Sequence, residues 1–218
     1  MPRMKRALRP DAAPVADDAM RDRIVGAAFK AFMEKGYAGT STLEIATRAK
    51  ISKRDLYANF PNKQAVLLAC IQNRAARMQL APDLPAPRNR EMLASTLTTF
   101  GATVVREVCQ PAVVAMFRLA ISEAERSPAV AKALHASRVG NRNALAELLA
   151  RAQAAGILRP GRSQQMMEDF FALLWGDLLL SRLLGVAAAP KPAETEGRAH
   201  AATATFLRLY GNPPAEGR

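Results

Sequence analysis

The chain has 218 residues, half of them hydrophobic, with a net charge of +12. That length admits one large domain or two small ones, and the apolar share is ample for a buried core. So basic a chain meets a polyanion or carries a merely solvated basic surface, and composition alone leaves both open. Residues 1–80 hold 15 Lys and Arg against 7 Asp and Glu, so a nucleic-acid module is expected in the first third. Cys70 and Cys109 show no CxxC spacing, and His135 and His200 stand alone, so neither a disulfide framework nor a metal site is expected. No cofactor is expected either. A reducing, cytosolic setting fits, with no membrane partner. The basic start Pro2–Arg9 runs into Pro10 and Asp11 rather than an apolar stretch, and the greasiest segment, Phe170–Ala189, is interrupted by Asp177 and Arg182.

In chain order, strand signals are nearly absent and helical spacing recurs, which predicts an all-α fold of about nine helices. Residues 1–16 read as a flexible basic arm. The first helix is expected from Asp17 to Lys35, with a stripe of Ile24, Ala28 and Phe32, closed by Gly36. The second starts at Ser41, with Glu44 as a capping-box partner, and turns near Lys50. The third starts at Ser52, boxed by Asp55, and stops before Pro61. The fourth runs from Asn62 to about Leu80. Pro82, Pro85 and Pro87 mark a break. Further helices are expected over 89–109, 111–125, 128–156 (with Ser127-Pro128 at its start), 163–184 and 194–210. The domain division read from this is an arm over 1–16, a helix-turn-helix over 17–63 and a helical domain over 64–218.

Two short capped helices around a tight turn, Ser41–Phe60, have the spacing of a helix-turn-helix. More specifically, Ile24–Ile71 resembles the N-terminal module of the TetR/AcrR regulators. The matching pieces are Phe32, Gly36 and Tyr37; Thr40-Ser41-Thr42; Ile45-Ala46; Ser52-Lys53; Leu56-Tyr57; and Phe60-Pro61 with Lys63. Phe117–Ala131 is similar to one group of C-terminal domains in that family. The resemblance implies DNA contacts at Thr42, Lys53, Tyr57 and Lys63, and Ser52, Arg54 and Asn59 complete the candidate set. Other readings stand beside these. Ser41, Ser52 and Asp55 also suit helix capping, and Tyr57 also suits the edge of a core. Arg54 suits either a bidentate bond to guanine or a phosphate contact. The arm, with Arg3, Lys5, Arg6 and Arg9, suits a minor groove or a solvated tail. Two departures from the family pattern stand out. Lys50 sits at a turn position commonly held by glycine, at a cost of about 1 kcal/mol if φ is positive. Arg54 sits where a small residue is usual.

The resemblance also implies a homodimer on double-stranded DNA, responsive to a small-molecule effector of unknown identity, with the fourth helix as the lever. Phe171, Leu174, Leu178, Phe206, Leu209 and Tyr210 are expected at the dimer interface. Met78, Phe100, Val104, Met116, Phe117, Ile121, Phe170 and Trp175 line a ligand pocket or serve as plain core. Arg106, Arg118 and Glu123 lie close to these stripes. The functional expectation is a repressor released from a palindromic operator. A non-specific architectural DNA binder is the alternative. An enzyme would need convergent catalytic groups, for instance Cys109 brought against His135.

Overall fold

The computed structural model describes residues 13–78, 80, 84–122, 124–125 and 128–213, and over these the chain is helical, with no strand. The arm residues below 13, Pro82, Glu123 and Ser127 lie outside the described residues. Among the described residues there are ten helices against about nine expected. They are α1 (Ala13–Lys35), α2 (Thr42–Ala49), α3 (Lys53–Asn59), α4 (Lys63–Ala76), α5 (Arg90–Val108), α6 (Pro111–Ser122), α7 (Pro128–Ala154), α8 (Ser163–Trp175), α9 (Leu178–Leu184) and α10 (Pro192–Tyr210). The extra element arises because the single helix expected over 163–184 is broken. Gly176 adopts φ 46°, ψ −127°, a conformation open in practice only to glycine, and it separates α8 from α9. The start of α1 at Ala13 also brings part of the expected arm into a helix. Among the described residues, no helix is long and apolar enough to cross a membrane.

The chain divides into two compact units, Met1–Cys70 and Ile71–Arg218, and the division falls inside α4. In the first unit α1 packs on α2 and α2 on α3. Their shared core is Ile24, Ala28, Phe32, Ile45, Leu56 and Phe60, each at most 3% exposed. Thr40 is a buried polar residue of this unit. Its hydroxyl lies 2.7 Å from the Gly36 carbonyl and 3.1 Å from that of Ala31, which satisfies it where water cannot reach.

In the second unit α10 packs on α5 and α8, and α8 packs on α7. Leu93, Leu97, Leu145, Leu149, Phe170 and Phe206 are fully buried at these contacts. The Phe170 ring meets Phe171 and Phe206 edge-on, with centroids 6.1 and 5.7 Å apart, a geometry favoured by aromatic quadrupoles. Gly101 lets α5 approach closely: a Cβ there would stand 3.2 Å from Leu174 Cδ1 and 3.4 Å from Ala199 Cβ.

Several helix C-termini are closed by arginine rather than by glycine alone. Terminal carbonyls lack an intrahelical donor, and a guanidinium supplies charge-assisted ones. Arg90 donates to the carbonyls of Leu207 and Asn212 at the end of α10. Arg118 donates to Arg182 and Leu183 at the end of α9. Arg198 reaches Leu174 and Trp175 at the end of α8, and Arg182 reaches Cys109 beyond α5. An isolated antiparallel bridge, Leu158 with Gly211, ties the turn after α7 to the residue that follows α10.

Candidate nucleic-acid interface and ligand cavity

The helix-turn-helix is built from its caps. Ser41 accepts the Glu44 backbone N–H at 3.1 Å and opens α2. The reciprocal half of the expected box is missing here, because the Glu44 carboxylate turns to Lys35 and Arg48, each at 2.8 Å. Arg48 also meets Glu34 at 2.7 Å. Hydrogen bonds from Lys35 to Glu44 and from Arg48 to Glu34 hold both carboxyls below the usual glutamate range, and those bonds to Arg48 raise the guanidinium. Arg48 is therefore committed to its own unit.

The turn between α2 and α3 closes on Lys50 with φ 54°, ψ 48°. It is the non-glycine residue with positive φ among those described. Its N–H bonds to the Thr47 carbonyl and the following Ile51 N–H to Ala46, both at 3.1 Å, which is a Schellman closure. The sequence left open whether this glycine-like position takes a positive φ; it does, with lysine in place of glycine.

At the start of α3 the box is complete. The Asp55 N–H donates to Ser52 Oγ, and the Ser52 N–H donates to the Asp55 carboxylate at 3.2 Å. The Ser52 hydroxyl also donates to that carboxylate and contributes most to holding the Asp55 pKa below its ordinary value. Leu56 anchors α3 in the core while Ser52, Lys53, Arg54 and Tyr57 face solvent. Among the described residues neither Lys53 nor Arg54 makes an ion pair with an acid. The Lys53 ammonium lies 5.8 Å from the Tyr57 ring centroid. Thr42 on α2 and Tyr57 on α3 come together, their hydroxyl oxygens 3.2 Å apart.

Two candidate residues are placed differently from the rest. Asn59 is half-buried, and its amide donates to the Asp55 carbonyl at 2.9 Å and to Met20 Sδ at 3.6 Å, so its donor group faces α1. Lys63 donates to the carbonyls of Tyr37 (2.8 Å) and Thr40 (2.9 Å), with its ammonium 4.3 Å from the Tyr37 centroid. It staples the loop after α1, and one of its three donors remains for another partner. Arg21, not singled out from sequence, lies over Phe60 at 4.3 Å and donates to the Asn59 carbonyl. Nothing in the local pattern marks that contact, which spans 38 residues.

In the second unit an open-mouthed cavity, with about 100 Å³ of room for the centres of water-sized spheres, is lined from α4, α5, α6, α7, α8 and α9. Of the expected pocket residues, Met78, Val104, Met116, Phe117 and Trp175 line it. Phe170 is fully buried in the core instead, Phe100 faces a separate shallow groove with Leu84 and Thr103, and Ile121 is 62% exposed. Arg138 and Arg142 of α7 line the cavity and were missed, because α7's long alternation of alanine and polar residues gives no stripe to read. Arg106 instead donates to Thr103, and Arg118 closes α9.

The residues expected at the dimer interface fall in different places. Phe171, Leu174 and Phe206 are buried within the second unit, and Phe171 lines the cavity. Leu178 and Tyr210 are half-buried, and the Tyr210 hydroxyl bonds Asp169, which raises its pKa. Leu209 is exposed, as are Leu180, Leu184 and Val186. Cys109 is buried with its thiol pushed up by desolvation, whereas His135 is exposed on α7.

A box-capped helix with a cationic outer face, set by a tight turn on a second helix, defines a helix-turn-helix protein. The comparisons take this further. Residues 24–70 match the family described as "Bacterial regulatory proteins, tetR family", and residues 95–212 match the "AefR-like transcriptional repressor, C-terminal domain". The chain belongs to the TetR family of transcriptional regulators.

Among relatives, a Bacillus subtilis HTH-type transcriptional regulator, YuxN, is 48% identical over 48 residues, which is 22% of this chain and 16% of that protein. Another from the same organism, YdeS, is 30% identical over 97 residues, 42% of this chain and 49% of its own length. The matched part thus spans half or less of these curated relatives. Solved structures match nearly end to end. A TetR transcriptional regulator from Agrobacterium tumefaciens gives a TM-score of 0.73 at 25% identity, covering 89% of this chain and 95% of that one. The Flavonoid-responsive Regulator FrrA gives 0.69 at 29%, covering 91% and 100%.

Proposed function

We propose that this chain is a DNA-binding repressor that sits as a homodimer on a palindromic operator and leaves it when a small molecule fills the second unit's cavity. The observation that carries the DNA reading is the outer face of α3, where Lys53, Arg54 and Tyr57 are exposed around the buried anchor Leu56. The third helix of such a module enters the major groove, and two copies read half-sites about 34–36 Å apart or a multiple of that. Thr42 and Tyr57 present adjacent hydroxyls suited to one phosphate, and Lys53 adds charge beside them. Arg54 reads guanine or clamps a phosphate. Ser52 serves first as a cap, Asn59 contributes by fixing the end of α3, and Lys63 offers its remaining donor. Residues 1–16 would act as a basic arm, 17–63 as the DNA-binding domain and 64–218 as the sensing and dimerising domain. The exposed residues Leu180, Leu184 and Leu209, with the half-buried Leu178 and Tyr210, are the apolar side chains offered to a second copy. The protein then works in the cytoplasm, at the nucleoid.

Release requires an effector that binds better to the dimer form with misplaced recognition helices, and the shift cannot exceed that difference in affinity. Ile71, Arg74 and Ala75 of α4 line the cavity, while the first half of the same helix belongs to the DNA-binding unit, so α4 is the lever. Gel shifts against the DNA upstream of the chain's own gene and against random DNA test the reading. A preference of about a thousandfold or more for one site is expected. Equal binding with a steep salt slope would instead mark an architectural binder. Across operator variants, Arg54→Ala relaxes a single position if it reads a base and weakens all equally if it does not.

A further inference from the structure

Among the described residues, the cavity of the second unit carries guanidinium groups and no carboxylate. Apart from Arg74, Arg138, Arg142 and the indole N–H of Trp175, its described lining is apolar. Arg74 already faces Glu107, 4.0 Å away. Among the described residues, Arg138 and Arg142 have no acidic partner within ion-pair distance. The Arg142 guanidinium lies 5.1 Å from the ring centroid of Phe171, itself a lining residue, which holds the charge against the apolar wall. Arg138 is one turn earlier on α7, and like charges four residues apart on a helix repel. Desolvation and the neighbouring Arg142 lower the Arg138 pKa from its ordinary value, although the residue as a whole is exposed.

Resting on the reading of this cavity as the effector site, the geometry points to an effector that is an apolar acid: an anionic head on an aromatic or aliphatic body. Arg138 and Arg142 take the head, because a planar guanidinium suits a carboxylate and an added anion relieves their mutual repulsion. Met116 and Trp175 take the body. A cationic ligand would meet the same repulsion, and a sugar would find no hydroxyl or amide side chain among the described lining residues.

The test is calorimetric titration of the full chain with cinnamate and dodecanoate, each against its own primary amide. The acids are expected to bind about tenfold to a hundredfold more tightly than the amides. Arg138→Gln and Arg142→Gln are each expected to lose that preference while melting normally and retaining DNA binding without ligand. The inference is overturned if neither acid binds at about 1 mM, if acid and amide bind alike, or if both variants keep the preference. Acid binding is read without DNA, so failure of the repressor reading shows separately, as an unliganded chain that does not select an operator.

Discussion

Replacing Lys50 by glycine is expected to raise the melting temperature of the chain. Lys50 holds φ 54°, ψ 48° at the close of α2, where an L side chain crowds the following carbonyl. That conformation costs about 1–2 kcal/mol for an ordinary residue. Glycine escapes the cost but brings about 0.4–1 kcal/mol of extra freedom to the unfolded chain. The balance is a gain of about 0.5–1 kcal/mol. For a chain of this size the corresponding rise is roughly 1–4 °C. Thermal unfolding followed by far-UV circular dichroism measures it, with Lys50→Ala as control. Alanine removes the charge but keeps the Cβ, so it should show no comparable gain. If glycine melts at or below the parent, or alanine rises equally, backbone strain at this turn is not what Lys50 costs.

Other substitutions test the same physics. Ser52→Ala removes the cap of α3 and should cost about 1 kcal/mol in denaturant titration. The Asp55 pKa lies below its unfolded value, so its contribution is complete above the unfolded pKa and is lost as pH falls through the folded one. In Ser52→Ala the acid-side fall in stability should flatten, and an unchanged pH profile would count against the box. Lys63→Met should destabilise the first unit by about 1–3 kcal/mol, because two carbonyls lose a charged donor; a protein that lost only DNA affinity would show that the staple is idle. Gly101→Val should cost about 1–3 kcal/mol through overpacking against Leu174 and Ala199; an unchanged melting temperature would mean that α5 and α10 can part freely.

Capping residues made the first unit legible. Ser41, Ser52, Asp55 and Pro61 act through neighbours a few residues away, so the limits of α2 and α3 follow from local chemistry. Where long-range contacts decide, local reading failed. Glu44 looked like a box partner, but Lys35 and Arg48 offered its carboxylate stronger, charged donors. Asn59 and Lys63 looked like surface groups, and their bonds to Met20, Tyr37 and Thr40 come from other elements. In the second unit most helices carry apolar stripes, and spacing cannot say whether a stripe meets core, cavity or solvent. Phe170, fully buried, takes the core alternative, and Ile121, largely exposed, takes neither core nor cavity. Gly176 looked like one more residue of a long helix, since only its backbone angles reveal the break.

The arginines that finish the helices of the second unit change what its alkalinity means. Arg90, Arg118, Arg182 and Arg198 are fasteners on main-chain oxygens, and Arg151 and Arg159 do the same for the segments at Leu84 and Gly211. A high isoelectric point here is partly a by-product of how this half of the chain ties off its ends. An engineer trimming positive charge to curb unspecific adhesion should spare these six and begin elsewhere. Lysine is not an equivalent substitute, because its ammonium is a point charge without the planar, rigid donor fork of a guanidinium.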